Sequence, residues 1–190
     1  MLADFLLLDY QRQTADIGRL LLRQQDDLDV EPTLLGVVLD GGRVVRNDVP
    51  DYTSGFTPGK ITALKQGSDV AVLAHGAMVE AAINATETLH KKGISCSVYN
   101  VSTMKPFDYE GVLEAAAKHK LIITAEDHTR IGGLAMHTAF ALRQSNTKMD
   151  YVAIEDEFGQ SAHSVDELMR HYGLTPDAIA DKISRAWSNS

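Results

Sequence analysis

The stretch that most constrains this chain is residues 121–134, LIITAEDHTRIGGL. Leu121, Ile122, Ile123 and Thr124 are mostly β-branched and show no polar alternation, the pattern of a strand covered on both faces. Glu126, Asp127 and His128 follow at once, and a Gly132-Gly133 pair then opens a helical pattern. In an open α/β sheet, polar groups just past the carboxyl end of a strand lie where ligands and partner surfaces are met. The stretch therefore predicts a parallel sheet and marks its working edge. By itself it does not name a chemistry.

The chain around it alternates in the same way. Residues 69–74 (DVAVLA) read as a buried strand with His75-Gly76 as its exit turn. Val79, Ala82, Ile83, Thr86 and Leu89 recur at helical spacing over 76–92, and Gly93 is placed to stop that helix. Residues 94–101 (ISCSVYNV) predict a second strand. Asp108 is then placed to cap a helix that buries Val112, Leu113, Ala116 and Ala117. A helix over 132–142 and a strand over 151–154 come next. Ser164 with Glu167 forms a capping box, and Thr175-Pro176-Asp177 starts a last helix carrying Ile179, Ile183 and Trp187. Right-handed crossovers between such strands give a three-layer α/β/α fold with a mostly parallel sheet of about five strands.

Residues 1–59 follow another pattern. Residues 33–47 carry two apolar runs around Asp40-Gly41-Gly42, a hairpin signal whose alternative is a single strand over 43–46. Residues 47–59, with two prolines and two glycines, read as a linker. Helix over 2–25 is weakly supported, because the apolar positions are irregular and Gly18 interrupts them.

Composition excludes several classes. With 190 residues and 44% hydrophobic content the chain can bury one sizeable α/β core. A net charge of −8, with no basic run longer than Lys91-Lys92, argues against a nucleic-acid surface. No apolar stretch approaches the ~20 residues of a membrane span, and 1–8 (MLADFLLL) lacks the basic start and cleavage site of a signal peptide. Cys96 is the only cysteine and sits in an apolar run, as expected of a core thiol in a reducing cytoplasmic setting. The seven histidines show no short ligand spacing, so no metal site is expected. Asp26, Asp27 and Asp29 read as a solvated acidic run.

Four segments in order, 67–82 (GSDVAVLAHGAMVEAA), 104–108 (MKPFD), 124–134 (TAEDHTRIGGL) and 156–179 (DEFGQSAHSVDELMRHYGLTPDAI), resemble the C-terminal domain of transketolases. The resemblance covers about residues 59–184 and is closest to the split type, made as separate N- and C-terminal subunits. Deoxyxylulose-phosphate synthases and 2-oxoacid dehydrogenase β subunits share the layout. Upstream, 42–50 (GRVVRNDVP) is similar to the last strand and exit of the family's pyrimidine-binding domain. The implied organisation is an unassigned segment over 1–42, a remnant strand plus linker over 43–59, and a transketolase C-terminal-like domain over 60–190.

The family holds thiamine diphosphate and Mg²⁺ between two domains that precede this one, through a Gly-Asp-Gly motif with a downstream Asn and an activating glutamate. This chain has no Gly-Asp-Gly; Asp40-Gly41-Gly42 has the wrong order, and Glu31 is the only glutamate before residue 60. The resemblance thus implies a non-catalytic module, without catalytic, cofactor or metal residues of its own. Its partners would be an N-terminal transketolase subunit and a second copy of itself. The complete enzyme would transfer a two-carbon ketol unit between sugar phosphates. The alternatives are a free-standing binding or regulatory module for a small anionic ligand, or the C-terminal part of a deoxyxylulose-phosphate synthase or 2-oxoacid dehydrogenase β subunit.

Five residues are candidates for the interface or ligand edge. Glu126 and His128 stand at the family's Glu-x-His position, which implies contact with the neighbouring subunit near the mouth of the active site, both as exposed loop residues; the other reading is that Glu126 caps local N–H groups and His128 is a surface loop residue. His75 either joins Glu126 in a polar cluster or is a satisfied loop histidine. Gly132 and Gly133 either cradle an anion at a helix N-terminus or, the favoured reading for a lone Gly-Gly, permit close helix–strand packing and an unusual φ.

Overall fold

Five strands and five helices are built over residues 56–157, 159–160 and 164–188, the residues that the computed structural model describes. The expected helix over 2–25, the hairpin over 33–47 and the remnant strand with most of its linker lie outside those residues. The strands are β1 (Thr62–Lys65), β2 (Val70–Ala74), β3 (Cys96–Asn100), β4 (Leu121–Thr129) and β5 (Lys148–Ile154). The helices are α1 (Met78–Lys91), α2 (Tyr109–Lys118), α3 (Leu134–Ala141), α4 (Val165–His171) and α5 (Pro176–Ser188).

The sheet order is β1-β3-β2-β4-β5. The β2–β3, β2–β4 and β4–β5 pairs are parallel, and only β1 runs antiparallel, against β3. β2 and β4 occupy the middle and carry the continuous apolar runs, because strands covered on both faces have no side that water can solvate. Alternate residues then face opposite layers. Val70, Val72, Ala74, Leu121, Ile123 and Ala125 pack on one side with Val79, Ala82 and Leu89 of α1 and Ile179 and Ile183 of α5. Ala71, Leu73, Tyr99 and Ile122 pack on the other with Val112, Ala115 and Ala116 of α2 and Leu134 and Ala141 of α3. Each fully buried Leu or Ile contributes about 1.5–3 kcal/mol relative to exposure, so the two apolar layers hold the sheet in place.

Helix starts follow the expected caps. Asp108 accepts the Gly111 N–H at 3.2 Å and so begins α2. Ser164 accepts the Glu167 N–H at 3.2 Å, and Thr175 Oγ1 accepts the Ala178 N–H at 3.2 Å. The α2 burial expectation is corrected in part. With Asp108 as cap, the phase of the helix turns Val112, Ala115 and Ala116 inward, while Leu113 stays 45% exposed and Ala117 is exposed.

Three further features go beyond what the sequence patterns predict. β1 is an alternating strand of intermediate burial within the stretch following the linker. β5 begins at Lys148 rather than Tyr151, and β4 runs on to Thr129 through the polar residues. Cys96 is buried in the core as expected, and burial above all, with the charge of Asp69, pushes its thiol up to about 12 against the opposing pull of Lys65. Among the described residues no helix is long and apolar enough to cross a membrane.

Candidate functional site

The carboxyl edge of the sheet is shaped by an irregularity in β4. Ala125 pairs with Val152 and Thr129 with Ile154, so β4 spends four steps where β5 spends two. Extra residues in one strand break the ladder and re-aim side chains. Glu126, Asp127 and His128 fall in this segment.

Glu126 keeps the alternation of β4 and points to the α3 side of the sheet. It is 2% exposed, which corrects the expectation of an exposed loop residue. Its Oε2 accepts the Leu134 N–H at 2.7 Å and its Oε1 accepts the Ala135 N–H at 2.8 Å. Both are N–H groups of the first turn of α3, which have no partner within the helix. A carboxylate there satisfies two of them and lies against the positive end of the helix dipole. Gly133 makes the approach possible: a Cβ at that position would stand 2.1 Å from Glu126 Oε2 and 2.8 Å from the Thr129 carbonyl. Gly132 has φ +77°, a conformation that side chains resist.

The other edge residues turn elsewhere. His75 and Glu126 are not joined. The His75 Nδ1–H donates to the Val101 carbonyl at 2.6 Å, while the His75 backbone N–H donates to the Ala125 carbonyl at 3.0 Å. Val101 N–H returns to the Ala74 carbonyl at 2.8 Å. His75 therefore ties together the ends of β2, β3 and β4. Gly76, with φ +59°, brings the chain beside Asp127, whose Oδ1 would lie 3.4 Å from a Cβ there. His128 is exposed, and its Nδ1–H donates to the Thr129 carbonyl at 2.9 Å.

Two polar clusters near the sheet have partners that the sequence patterns do not show. Asp108 not only caps α2 but also accepts the Ile61 N–H at 2.9 Å and the Lys60 ammonium at 3.0 Å. Burial alone pushes this carboxyl up, but the bonds from Ile61, Lys60 and Gly111 outweigh it and hold the carboxyl below its ordinary value. At the β4 exit, Arg130 Nε donates to Glu155 at 2.6 Å, and the Tyr151 hydroxyl donates to the other oxygen of Glu155 at 3.1 Å. The bond from Arg130 to Glu155, with the nearby charges, holds the guanidinium above its ordinary value. Asp108 was legible as a cap; partners 47 and 48 residues away have no local signature.

The start of α3 does not suit a diphosphate. The helix start that would receive one is held by the Glu126 carboxylate, and a second anion there would meet like charge. Among the described residues no group of three or more His, Cys, Asp or Glu is placed to hold a metal ion.

Residues 59–179 match the family model described as "Transketolase, C-terminal domain". The chain belongs to the transketolase C-terminal domain family. It is 41% identical over 125 residues to the 6-deoxy-6-sulfo-D-fructose transketolase subunit SqwH of Clostridium sp. (strain MSTE9), covering 65% of this chain and 38% of that protein. It is 35% identical over 141 residues to a subunit of the apulose-4-phosphate transketolase of Phocaeicola vulgatus, covering 72% of this chain and 45% of that one. A solved split-gene transketolase, an inactive tetramer, superposes with a TM-score of 0.66 at 32% identity, over 77% of this chain and 46% of its own. The α/β fold of the family and its mostly parallel five-strand sheet are those described above. The chain spans less than half the length of these relatives.

Proposed function

We propose that this chain is the C-terminal module of a split transketolase and acts by assembly. It would dock on a partner that carries the thiamine-diphosphate site and complete an enzyme that moves a two-carbon ketol unit between sugar phosphates. The observation that carries this reading is the match of residues 59–179 to the transketolase C-terminal domain, beside the likeness to proteins that are themselves named as transketolase subunits. Thiamine diphosphate and Mg²⁺ would belong to the partner, in keeping with the occupied helix start at this sheet edge. A second copy of the chain is also proposed as a partner, with the tetramer of the split-gene relative as support.

Within this reading the five edge residues divide by role. His128, exposed beyond the sheet edge, is the residue proposed to touch the partner. Glu126, Gly132 and Gly133 hold the β4–α3 turn in the shape that presents it, and His75 fixes the neighbouring strand ends. Glu126 and Gly133 thus act through position, not contact.

The test is co-purification from the native host with the tagged full chain, followed by a ketol-transfer assay. Recovery of an N-terminal transketolase-type subunit, with activity only in the complex, is the expected result. His128→Ala should leave the melting temperature within about 2 °C, since exposed substitutions cost at most about 0.5 kcal/mol. It should nevertheless weaken the complex. Ketol transfer by the chain alone would overturn the proposal, as would recovery of no such subunit.

A further inference from the structure

Between β1 and α2 the surface sinks into a cleft of about 290 Å³. Small residues leave the room: Ala63 on β1, and Gly111 and Ala115 on α2. Tyr99 of β3 forms the floor, since it stands beside Ala63 in the sheet register and packs in the α2 layer. This size is the low end for small-molecule sites and suits a compact metabolite, not a dinucleotide.

Tyr99 offers a hydrogen bond that the protein does not use. The residue is 9% exposed, and its ring meets His119 edge to face at 6.2 Å. Its hydroxyl makes no hydrogen bond among the described residues. The buried side-chain atoms that are both sealed from solvent and without a partner there are the Thr124 and Thr138 hydroxyls. The Tyr99 hydroxyl is therefore open, and the space it opens on is the cleft. A tyrosine buried to this degree usually has a partner for its O–H.

The charges along the cleft are only partly matched. At the β1 end the Lys60 ammonium stands 3.0 Å from Asp108 and 3.5 Å from Glu110. Asp108 is fully engaged by Lys60, Ile61 and Gly111. Along the α2 lip Glu110, Glu114 and Lys118 follow at steps of four, on one face of the helix. Glu114 and Lys118 form no ion pair among the described residues, although both line the cleft. A free acid and a free base thus stand about one helical turn apart above an open hydroxyl.

We propose that this cleft binds a small zwitterion of the α-amino-acid type. The ligand's ammonium meets Glu114 with Glu110 beside it. Its carboxylate meets the Lys118 ammonium and receives the Tyr99 O–H, and its side chain lies over Ala63 and Ala115. Charge selects the class. Two lysines face three carboxylates in the cleft, so a phosphate enters against a net negative charge. A simple amine leaves Lys118 unmatched, and a neutral polyol uses neither free charge. Ion pairs at an open lip contribute little each, so the dissociation constant belongs near about 1 mM. The inference does not depend on the assembly reading, because His128, the residue proposed to touch the partner, does not line the cleft.

The experiment is saturation-transfer NMR on the full chain at pH 7 and low salt, with each of the common amino acids as probe. Inorganic phosphate, ethylammonium and sorbitol are the comparison probes. At least one amino acid should saturate near about 1 mM, and its amine and carboxylic-acid analogues should each bind roughly tenfold more weakly, having lost one of two charge pairs. Glu114→Gln and Lys118→Gln should each weaken binding by roughly fivefold to tenfold, with the melting temperature as control for folding. Tyr99→Phe should weaken it by roughly threefold through the lost hydrogen bond. No saturation by any amino acid below about 10 mM would overturn the proposal. So would an amine, phosphate or sorbitol that binds as tightly as the best amino acid. Binding that ignores both the Glu114 and Lys118 variants would place the ligand elsewhere and overturn it equally; these two exposed substitutions decide the matter even if Tyr99→Phe disturbs the fold.

Discussion

Asp108 shows how one side chain can join distant parts of a fold. A carboxylate read from sequence as a cap also receives the Ile61 N–H and the Lys60 ammonium, so it fastens the entry to β1 onto the start of α2. Its folded-state value is lowered, so its contribution is fully present above the ordinary carboxylate range and is lost as pH falls through the lower folded value. Asp108→Ala should cost about 2 kcal/mol at pH 7, combining the loss of a cap with a part-buried N–H left unpaired. Urea unfolding at pH 7 and at pH 3 checks this: the deficit of the variant should shrink at pH 3, and an equal deficit at both would contradict the ionic part of the account. Lys60 needs no burial to matter here, since its ammonium is held above its ordinary value by the bond and charge of Asp108.

At the scale of elements, the β4–α3 turn is a single device built from a strand irregularity, a buried carboxylate and a glycine. α3 has no side-chain cap at its own N-cap, Gly133. Glu126 supplies one from the preceding strand. Gly133→Ala would put a Cβ 2.1 Å from Glu126 Oε2, inside any real contact distance, so the carboxylate must leave or the turn must shift. A loss of about 3 kcal/mol is expected, on the scale of overpacking together with the lost bonds. Gly132→Ala faces open space but a φ of +77°, and should cost only about 1 kcal/mol. Thermal melting of the two variants checks the order; equal costs would mean that backbone strain, not the carboxylate, governs the turn.

Over the described residues the two apolar layers serve stability, and the proposed function assigns the carboxyl edge of the sheet to assembly. Because the α3 start is already filled by Glu126, titration of the full chain with thiamine diphosphate and Mg²⁺ at millimolar concentration should show no saturable heat. A micromolar dissociation constant would contradict the division of labour proposed between this chain and its partner. The same edge explains why the Glu-x-His pair must be tested by separate substitutions: the first residue is inside the fold and the second is outside it.

Local signals were enough for the alternation of strands and helices, the caps at Asp108, Ser164 and Thr175, and the working edge after β4, because hydrophobic period and capping chemistry act within a few residues. The four resembling segments added the family. Only tertiary structure decided that β1 pairs antiparallel on the sheet edge, that Leu113 faces outward and that Glu126 turns in to hold α3 while His75 turns to Val101. The physical reason is that strand order, helix phase and the partner of a buried charge are set by contacts between residues far apart in the chain. Nothing in the local sequence of EDH distinguishes the buried carboxylate from the exposed imidazole two residues later; the extra length in β4 relative to β5 does.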